Sequence, residues 1–287
     1  MGNVLRCNAI VLNVAQCLGQ FAQSISCESL GLSARCLIER RNMLLAVDIG
    51  NTQTAIGLFD GLVMAAHWVF TTRAVDTADE MHLNLAGQFE LAGVLLENVE
   101  DVVIASVVPS LTQCWATVAR RITTRRPIVV GPGVKSGLSM HYDNPAEIGA
   151  DRVADAVAAI DLEGAPVAVV DLGTATNIEV IDRDGRFDGG IIAPGMGTGA
   201  AALFEHAACL PQVNLARPDK VVGSNTNDAI RSGLIYGEVA RVDGLVDQVI
   251  DELGYEMPVI ATGGFSALIA DISATITRCE PLLTLHG

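Results

Sequence analysis

The sequence predicts an α/β fold in which one structural unit occurs twice. Two observations indicate this. Predicted strands alternate with predicted helices along most of the 287 residues, and one strand–turn–strand pattern occurs twice. Half of the residues are apolar, which is enough for a large core, and the length suits about two domains. We therefore expect two related halves with a cleft between them.

The first copy of the pattern begins at Met43. An apolar strand carries Asp48, the chain turns at Gly50-Asn51, and a second, alternating strand follows. In a strand of period two, Asp48 shares a face with Leu44 and Ala46, where an unpaired buried carboxylate is costly. Asp48 should therefore be neutralised, paired or facing a ligand. Taken alone, a plain hairpin with an Asp-capped turn explains the pattern equally well.

The second copy makes a ligand site the better interpretation. Residues 171–174, Asp-Leu-Gly-Thr, follow an apolar run and lead into another strand. The glycine of each copy lets the backbone approach an anion, and the hydroxyls of Thr52, Thr54 or Thr174 can donate to phosphate oxygens. The carboxylates can hold a cation. Two such loops facing each other across a cleft would clamp a polyphosphate.

Composition excludes several classes of partner. The formal net charge is -15 and the pI is near 4.6, which argues against non-specific nucleic-acid binding. Aromatic residues make up 4% of the chain, too few to predict a stacking platform for single strands. No apolar run is long enough to span a bilayer. We expect no nucleic-acid and no membrane partner, and a phosphorylated ligand would need local donors and metal ions.

The cysteines favour a reducing compartment. Their number is odd and none forms a C-x-x-C pair, so we expect reduced thiols in the cytosol and no zinc site. They are Cys7, Cys17, Cys27, Cys36, Cys114, Cys209 and Cys279.

Residues 1–42 differ in composition from the rest and carry four of the seven cysteines. They could be a cleaved targeting segment or contain a regulatory helix over residues 11–21. We favour a third alternative, a mis-assigned extension before a natural start at Met43, because the first predicted strand begins there.

Elements of the first half follow from local patterns. A third strand is predicted over residues 62–70. Thr77 and Glu80 form a capping-box pattern at the start of a helix that runs to about Gly93. The pattern then predicts a strand over 99–108, a helix over 111–122 and a short strand over 128–130.

Gly149-Ala150-Asp151-Arg152 opens a helix after a Gly- and Pro-rich segment that resembles a linker. Two interpretations remain open here. Asp151 could be a helix-start acid while Arg152 pairs with Asp155. Alternatively, Asp151 deprotonates a hydroxyl and Arg152 binds a substrate carboxylate.

Later segments carry weaker signals. Gly195-x-Gly197 fits a loose dinucleotide fingerprint, but no strand with an acidic residue follows as a Rossmann unit requires. The longest predicted helix covers about 227–253, and Thr226 could cap it or touch substrate. Val134-Lys135-Ser136 lacks the glycine of a Walker A motif, so phosphate chemistry of the P-loop type is not expected.

With these residues placed, the chain from Met43 onward resembles the type III pantothenate kinases. These belong to the actin and sugar-kinase superfamily of duplicated RNase H-like domains. The resemblance rests on an ordered series of motifs, each weak by itself. They are DIGNT at 48–52, TADE at 77–80, YDNP at 142–145, GADR at 149–152, DLGTAT at 171–176, GGIIAPG at 189–195, LP at 210–211, NT at 225–226 and ATGG at 261–264.

The resemblance implies ATP-dependent phosphorylation of pantothenate, the first step of coenzyme A biosynthesis. It implies domains at 43–148 and 149–287, with 1–42 outside the fold. The implied catalytic base is Asp151, and the implied ligand of a monovalent cation, K⁺ or NH₄⁺, is Asp171. The implied pantothenate-binding residues are Tyr142, Gly149, Ala150, Asp151, Arg152 and Thr226. The implied residues for ATP and its Mg²⁺ are Asp48, Ile49, Gly50, Asn51, Thr52, Gln53, Thr54, Ala55 and Thr174.

The resemblance also implies a cytoplasmic homodimer. Two alternatives to this function remain: a kinase of the same superfamily with another small substrate, and a non-catalytic homologue that acts as a regulator. Retention of both Asp48 and Asp151 argues against the regulator.

Overall fold

The structure is a computed structural model, and it describes residues 42–131, 134–207 and 210–287. The expectations for residues 1–41 and for Cys209 fall outside these ranges. Within them, Cys114 and Cys279 are free, partly buried thiols. No helix of the described ranges is long and apolar enough to cross a membrane.

The first half is a five-stranded sheet with two helices. The strand order is β3-β2-β1-β4-β5, with β1 antiparallel to β2 and parallel to β4. The strands are β1 (Met43–Ile49), β2 (Gln53–Asp60), β3 (Val63–Thr71), β4 (Val99–Ser106) and β5 (Ile128–Val129). The helices are α1 (Ala78–Leu91) and α2 (Pro109–Ile122).

Local sequence explains these elements. Alternation in β1 places Leu45, Val47 and Ile49 in a core that includes α1 and α2, and leaves Asp48 on the opposite face. The predicted capping box is confirmed at α1: the Thr77 hydroxyl accepts from the Glu80 N–H at 3.3 Å, and the Thr77 N–H donates to Glu80 Oε2 at 2.8 Å.

The second half is a six-stranded sheet of order β11-β10-β7-β8-β9-β6 with helices packed against it. Its strands are β6 (Ser139–Met140), β7 (Val167–Leu172), β8 (Ala175–Ile181), β9 (Arg186–Pro194), β10 (Val259–Thr262) and β11 (Arg278–Cys279). Its helices are α3 (Ala150–Glu163), α4 (Met196–His206), α5 (Thr226–Leu253), α6 (Ser266–Ala270) and α7 (Leu283–His286).

The two sheets confirm the predicted duplication. Strands β9-β8-β7-β10-β11 repeat the order and the strand directions of β3-β2-β1-β4-β5, with an added β6 at the edge. One face of the second sheet packs against α5 through residues such as Ile235 and Val242, and the other packs against α3. The fold class is therefore α/β with two RNase H-like halves.

Some elements differ from the sequence expectation. The segment interpreted as a linker contains β6, which pairs with β9 of the second sheet. The predicted boundary between 148 and 149 itself stays a prediction. The long helix is confirmed, but its N-cap is Asn225, whose side chain accepts from the Asp228 N–H at 3.0 Å, so Thr226 is not the cap.

Candidate active site

The first hairpin presents Asp48 on the face of the first sheet away from its core. Asp48 pairs with Ala55 across β1 and β2. The Gly50 N–H donates to the Gln53 carbonyl at 3.0 Å and closes the turn. A Cβ on Gly50 would lie 2.9 Å from that carbonyl oxygen, so the turn requires glycine here.

The second hairpin presents Asp171 in the same way. Asp171 pairs with Asn177 across β7 and β8, and the Gly173 N–H donates to the Ala175 carbonyl at 2.9 Å. The hydroxyls of Thr52 and Thr174 lie 3.0 Å apart. The two predicted loops therefore meet, one from each half of the protein.

Helix α3 brings the third carboxylate. Asp151 lies in its first turn, and Asp151 Oδ1 accepts from the Arg152 N–H at 2.8 Å. The preceding Gly149 is the N-cap, and a Cβ at that position would clash with Asp151 Oδ1. The glycine thus leaves room for the position that the Asp151 carboxylate occupies.

These three segments line one cavity of about 310 Å³. The residues at its walls come from both halves and from the C-terminal segment. Those predicted from the sequence are Asp48, Gly50, Asn51, Thr52, Gln53, Ala55, Asp151, Asp171 and Thr174. Ile49 and Thr54, predicted in the same loop, are buried instead, and Thr54 Oγ1 lies 2.8 Å from Thr72 Oγ1.

Three carboxyl groups in and beside the cavity, those of Asp48, Asp171 and Asp155, have raised pKa values. Burial, and secondarily the negative charges of Asp151 and Asp171, raise the pKa of Asp48 to about 7. Burial and the charge of Asp151 raise the pKa of Asp171 to about 7. Asp155, one helical turn after Asp151, is 1% exposed, and burial raises its pKa well above the ordinary value. Such a set of carboxylates is suited to binding cations and protons.

Arg152 does not line this cavity. Its side chain is buried, and Nε donates to Glu179 Oε1 at 3.0 Å, so the interpretation that Arg152 pairs with Asp155 is wrong. The guanidinium lies 5.2 Å from the centroid of the Phe187 ring, and Tyr142 contacts the same ring edge-on at 6.1 Å. Phe187 therefore connects two residues predicted to bind pantothenate.

Thr226 lies elsewhere. It lines a separate, open pocket of about 750 Å³ together with Leu203 and Leu210. The structure thus groups the predicted ATP residues other than Ile49 and Thr54 with Asp151 and Asp171 at one cavity, and Thr226 lines another. Gly149 and Ala150 lie at the start of α3, next to Asp151.

Sequence reasoning missed several residues of this region. Asn177 lines the cavity, and Glu179 binds Arg152. Alternation along β8 places both on the face that bears Asp171, and this signal was available in the sequence. Thr284 also lines the cavity and donates to Asp155 Oδ1 at 2.7 Å, but no local pattern predicts this contact.

The donor set fits cations bound together with phosphates. The cavity walls carry Asp48, Asp151 and Asp171, and no Lys or Arg is among the described residues that line them. Within the described ranges, no group of three or more His, Cys, Asp or Glu side chains is arranged to hold a metal ion by itself. Any cation here would therefore draw ligands from elsewhere, such as phosphate oxygens or water.

Solved structures share the fold. A putative Baf family transcriptional activator from Campylobacter jejuni has a TM-score of 0.50 and 20% identity, covering 84% of this chain and 92% of that one. Component A of (R)-2-hydroxyglutaryl-CoA dehydratase from Acidaminococcus fermentans has a TM-score of 0.50 and 15% identity, covering 85% and 94%. At these identities the likeness concerns the fold alone.

Sequence comparison goes further. The family model described as type III pantothenate kinase matches residues 44–248. The type III pantothenate kinase of Syntrophotalea carbinolica is 44% identical over 245 residues, which are 85% of this chain and 96% of the relative. That of Moorella thermoacetica is 42% identical with the same coverage. Because the match spans most of the chain and includes both acidic hairpins and Asp151, the protein belongs to the type III pantothenate kinase family.

Proposed function

We propose that this protein transfers the γ-phosphoryl group of ATP to the hydroxyl of pantothenate, the first step of coenzyme A biosynthesis. The observation that carries the proposal is the meeting of the two acidic hairpin loops, at Thr52 and Thr174, in a cavity that also contains Asp151. Membership of the family supplies the identity of the substrates.

The residues divide into two roles. The loop over residues 48–55 and Thr174 bind the phosphates of ATP through backbone N–H groups and hydroxyls. Asp151 accepts the proton of the pantothenate hydroxyl. The hydroxyl oxygen bonds to the γ-phosphorus at the same time, and ADP leaves. Phosphoryl transfer passes through a loose transition state, so positioning and charge neutralisation supply most of the catalysis.

Cations are part of the proposal. ATP brings several negative charges into a cavity whose described walls carry three carboxylates and no basic side chain, so positive charge has to come with the nucleotide. We assign Mg²⁺ to the loop that begins at Asp48, and K⁺ or NH₄⁺ to Asp171. Bound cations would neutralise the charge that develops on the phosphate oxygens.

The positions of the predicted pantothenate residues are the reason for proposing a homodimer. Tyr142 and Arg152 cluster around Phe187, whereas Thr226 lines a separate pocket. A second copy that places its Thr226 beside Tyr142 and Arg152 would complete the predicted set. Sedimentation velocity tests the state directly. A monomer at concentrations that give full activity would contradict the dimer.

The function is tested by ADP release coupled to a spectroscopic readout, with pantothenate as acceptor, in the presence and absence of K⁺. We expect ADP release that requires both pantothenate and K⁺. A folded protein that releases no ADP under either condition would contradict the kinase function and favour a regulator. Release only with another small alcohol would contradict the substrate. A cytoplasmic location, where ATP is available, stays a prediction.

A further inference from the structure

The pair formed by Arg152 and Glu179 is buried at the junction of α3 and the second sheet. The side chain of Arg152 is 8% exposed and that of Glu179 is 0% exposed. Glu179 lies on the central strand β8, between Val169 of β7 and Gly190 of β9, so the backbone around it is hydrogen-bonded on both sides. The carboxylate is therefore presented from a rigid strand, and the guanidinium from the first turn of a helix.

Other contacts limit the guanidinium further. The Phe187 ring lies 5.2 Å from it. A Cβ on Gly190 would lie 2.7 Å from Arg152 Nη2, so that nitrogen packs against a position where a side chain does not fit. Arg152 is thus held by an ion pair, an aromatic ring and a glycine, which together leave it little rotational freedom.

One end of the guanidinium has no protein acceptor. In the described part of the chain, its hydrogen bond is the one from Nε to Glu179, and neither Nη1 nor Nη2 donates to a protein group. Although the side chain is nearly buried, neither Nη1 nor Nη2 is among the buried side-chain atoms that lack a partner in the described residues, so their N–H donors remain accessible to a ligand. A planar carboxylate accepts two parallel bonds from an Arg fork, so a carboxylate ligand satisfies this end well.

We propose that Glu179 is a positioning residue for the acceptor substrate: it fixes Arg152 through Nε so that Nη1 and Nη2 stay available for the pantothenate carboxylate. This inference rests on the proposed function, because it takes pantothenate as the ligand of Arg152. Glu179 itself touches neither substrate nor the reacting atoms. Its contribution is to orient Arg152 before substrate arrives, which reduces the cost of ordering that side chain on binding.

A purely structural ion pair is the competing explanation. Removing one partner of a buried pair leaves an uncompensated charge and destabilises the fold. That effect lowers the melting temperature and the fraction of active enzyme, but it does not selectively weaken the binding of one substrate. The two explanations therefore separate in the KM values.

The primary experiment compares Glu179→Gln and Glu179→Asp with wild type in steady-state kinetics, at a temperature where circular dichroism shows each variant folded. Exchange of the carboxyl group for an amide weakens the hydrogen bond that Arg152 Nε donates, which predicts a rise of about tenfold in KM for pantothenate with Glu179→Gln. We expect kcat to change less than about threefold and KM for ATP less than about twofold, since Glu179 does not line the cavity. Glu179→Asp keeps a carboxyl group as the acceptor and should recover part of the pantothenate affinity.

Glu90→Gln is the matched control, because Glu90 is an exposed residue of α1 whose side chain makes no hydrogen bond or ion pair within the described part of the chain. It should match wild type in all three parameters. A pantothenate KM that stays within twofold of wild type in both Glu179 variants would overturn the inference, as would an equal rise in both KM values. Wild-type enzyme that does not phosphorylate pantothenate would instead contradict the proposed function.

A double-mutant cycle tests whether Glu179 acts through Arg152. Arg152→Lys removes the Nε donor while keeping the positive charge. The value of kcat/KM for pantothenate is measured from initial rates at low substrate for wild type, both single variants and the double variant. We expect Glu179→Gln to reduce kcat/KM much less in the Arg152→Lys background. Equal reductions in both backgrounds would show that Glu179 acts independently of Arg152 and would overturn the inference.

Discussion

The two acidic hairpins occupy equivalent positions in the two halves, yet they differ in what surrounds the carboxylate. Asp48 pairs with Ala55 and Asp171 pairs with Asn177 at the same place in the strand register. Residues 50–53 connect the paired positions of the first turn, and the shorter segment 173–175 connects those of the second. The scaffold is thus repeated, while the size and polarity of the neighbouring residues are not.

The two hairpins also differ in the residue that lies two positions further along the second strand. Gly57 pairs with Ala46, and a Cβ there would lie 3.3 Å from Leu285 Cδ1 of α7 and 2.8 Å from Phe59 Cε2. The equivalent position in the second hairpin is Glu179, which binds Arg152 of α3. The first half therefore leaves room for the C-terminal helix, and the second half holds the helix that carries Asp151.

A third difference lies at the end of the fourth strand. In the first half this position is Ser106, which pairs with Ile49. In the second half Gly263 follows β10, with a φ of 87°, and a Cβ there would clash with Asp171 Oδ1. The comparison indicates that duplication supplied the frame, and that small and polar substitutions specialised each half for a different part of the reaction.

The largest expected effect concerns α3, the helix that carries Asp151 in its first turn. Asp151→Asn should lower kcat about 100-fold or more, the usual scale for loss of a general base, with little change in KM for ATP. ADP release with pantothenate and K⁺ measures it. Asp161→Asn, the same change at an exposed position of α3, is the control and should leave kcat unchanged. Activity of Asp151→Asn within a few-fold of wild type would remove Asp151 from this role.

The next prediction tests whether the two hairpin carboxylates have different ligands. Asp171→Ala should weaken the dependence on K⁺, shifting the half-activating concentration about tenfold or more, because even outer-shell partners of a metal contribute about that much. Asp48→Ala should instead raise KM for ATP and leave the K⁺ titration closer to wild type. Potassium titrations of both variants measure the contrast. An unchanged titration for Asp171→Ala would contradict the assignment.

The sequence predicted the parts of this comparison that depend on local pattern. Both hairpins, the capping box at Thr77 and the long helix α5 follow from periodicity and turn residues. The meeting of the two loops with Asp151 was expected from duplication and resemblance. Strand β6 was not predicted because two residues carry no periodicity, and it lies in a Gly- and Pro-rich segment.

Contacts between distant segments were the part that sequence could not supply. Spacing along α3 makes Asp155 the obvious partner of Arg152, since residues three apart are neighbours on a helix. The structure places Arg152 over the sheet, where it contacts Glu179. Along the chain, the rest of α3, strand β7 and the hairpin turn lie between the two residues. Asp155 instead accepts from Thr284, in a four-residue helix too short to predict from pattern. Only the tertiary packing of α3 decides between these partners.

The third prediction uses Gly263. Gly263→Ala should lower the free energy of unfolding by about 1–3 kcal/mol, because the residue has a positive φ and a Cβ would lie 2.8 Å from the Leu172 carbonyl oxygen. Gly264→Ala is the matched stability control: its nearest contact would be Gln53 Oε1 at 3.7 Å, an ordinary van der Waals distance. Urea unfolding of both variants measures the difference. Equal stabilities would show that the close approach of Asp171 to this glycine is unimportant.

The smallest effect is the pH dependence of the ligand-free protein, where the two halves should behave alike. The folded-state pKa values of Asp48 and Asp171 are about 7, against an ordinary value of 3.8, so the folded protein retains protons that the unfolded chain releases. Their contribution to stability is therefore complete below about pH 4 and is lost as the pH rises through 7. Each group lowers the free energy of unfolding by at most about 1.4 kcal/mol for each unit of rising pH.

Asp48→Asn and Asp171→Asn should each flatten the decline in unfolding free energy between pH 5 and 8, and Asp161→Asn should not. The charge of Asp171 helps to raise the pKa of Asp48. The flattening in the double variant should therefore be smaller than the sum of the effects in the two single variants. Urea unfolding across this pH range tests both points. Variants with the same slope as wild type would mean that the two carboxylates do not titrate together in the empty cleft, and the electrostatic equivalence of the halves would be lost.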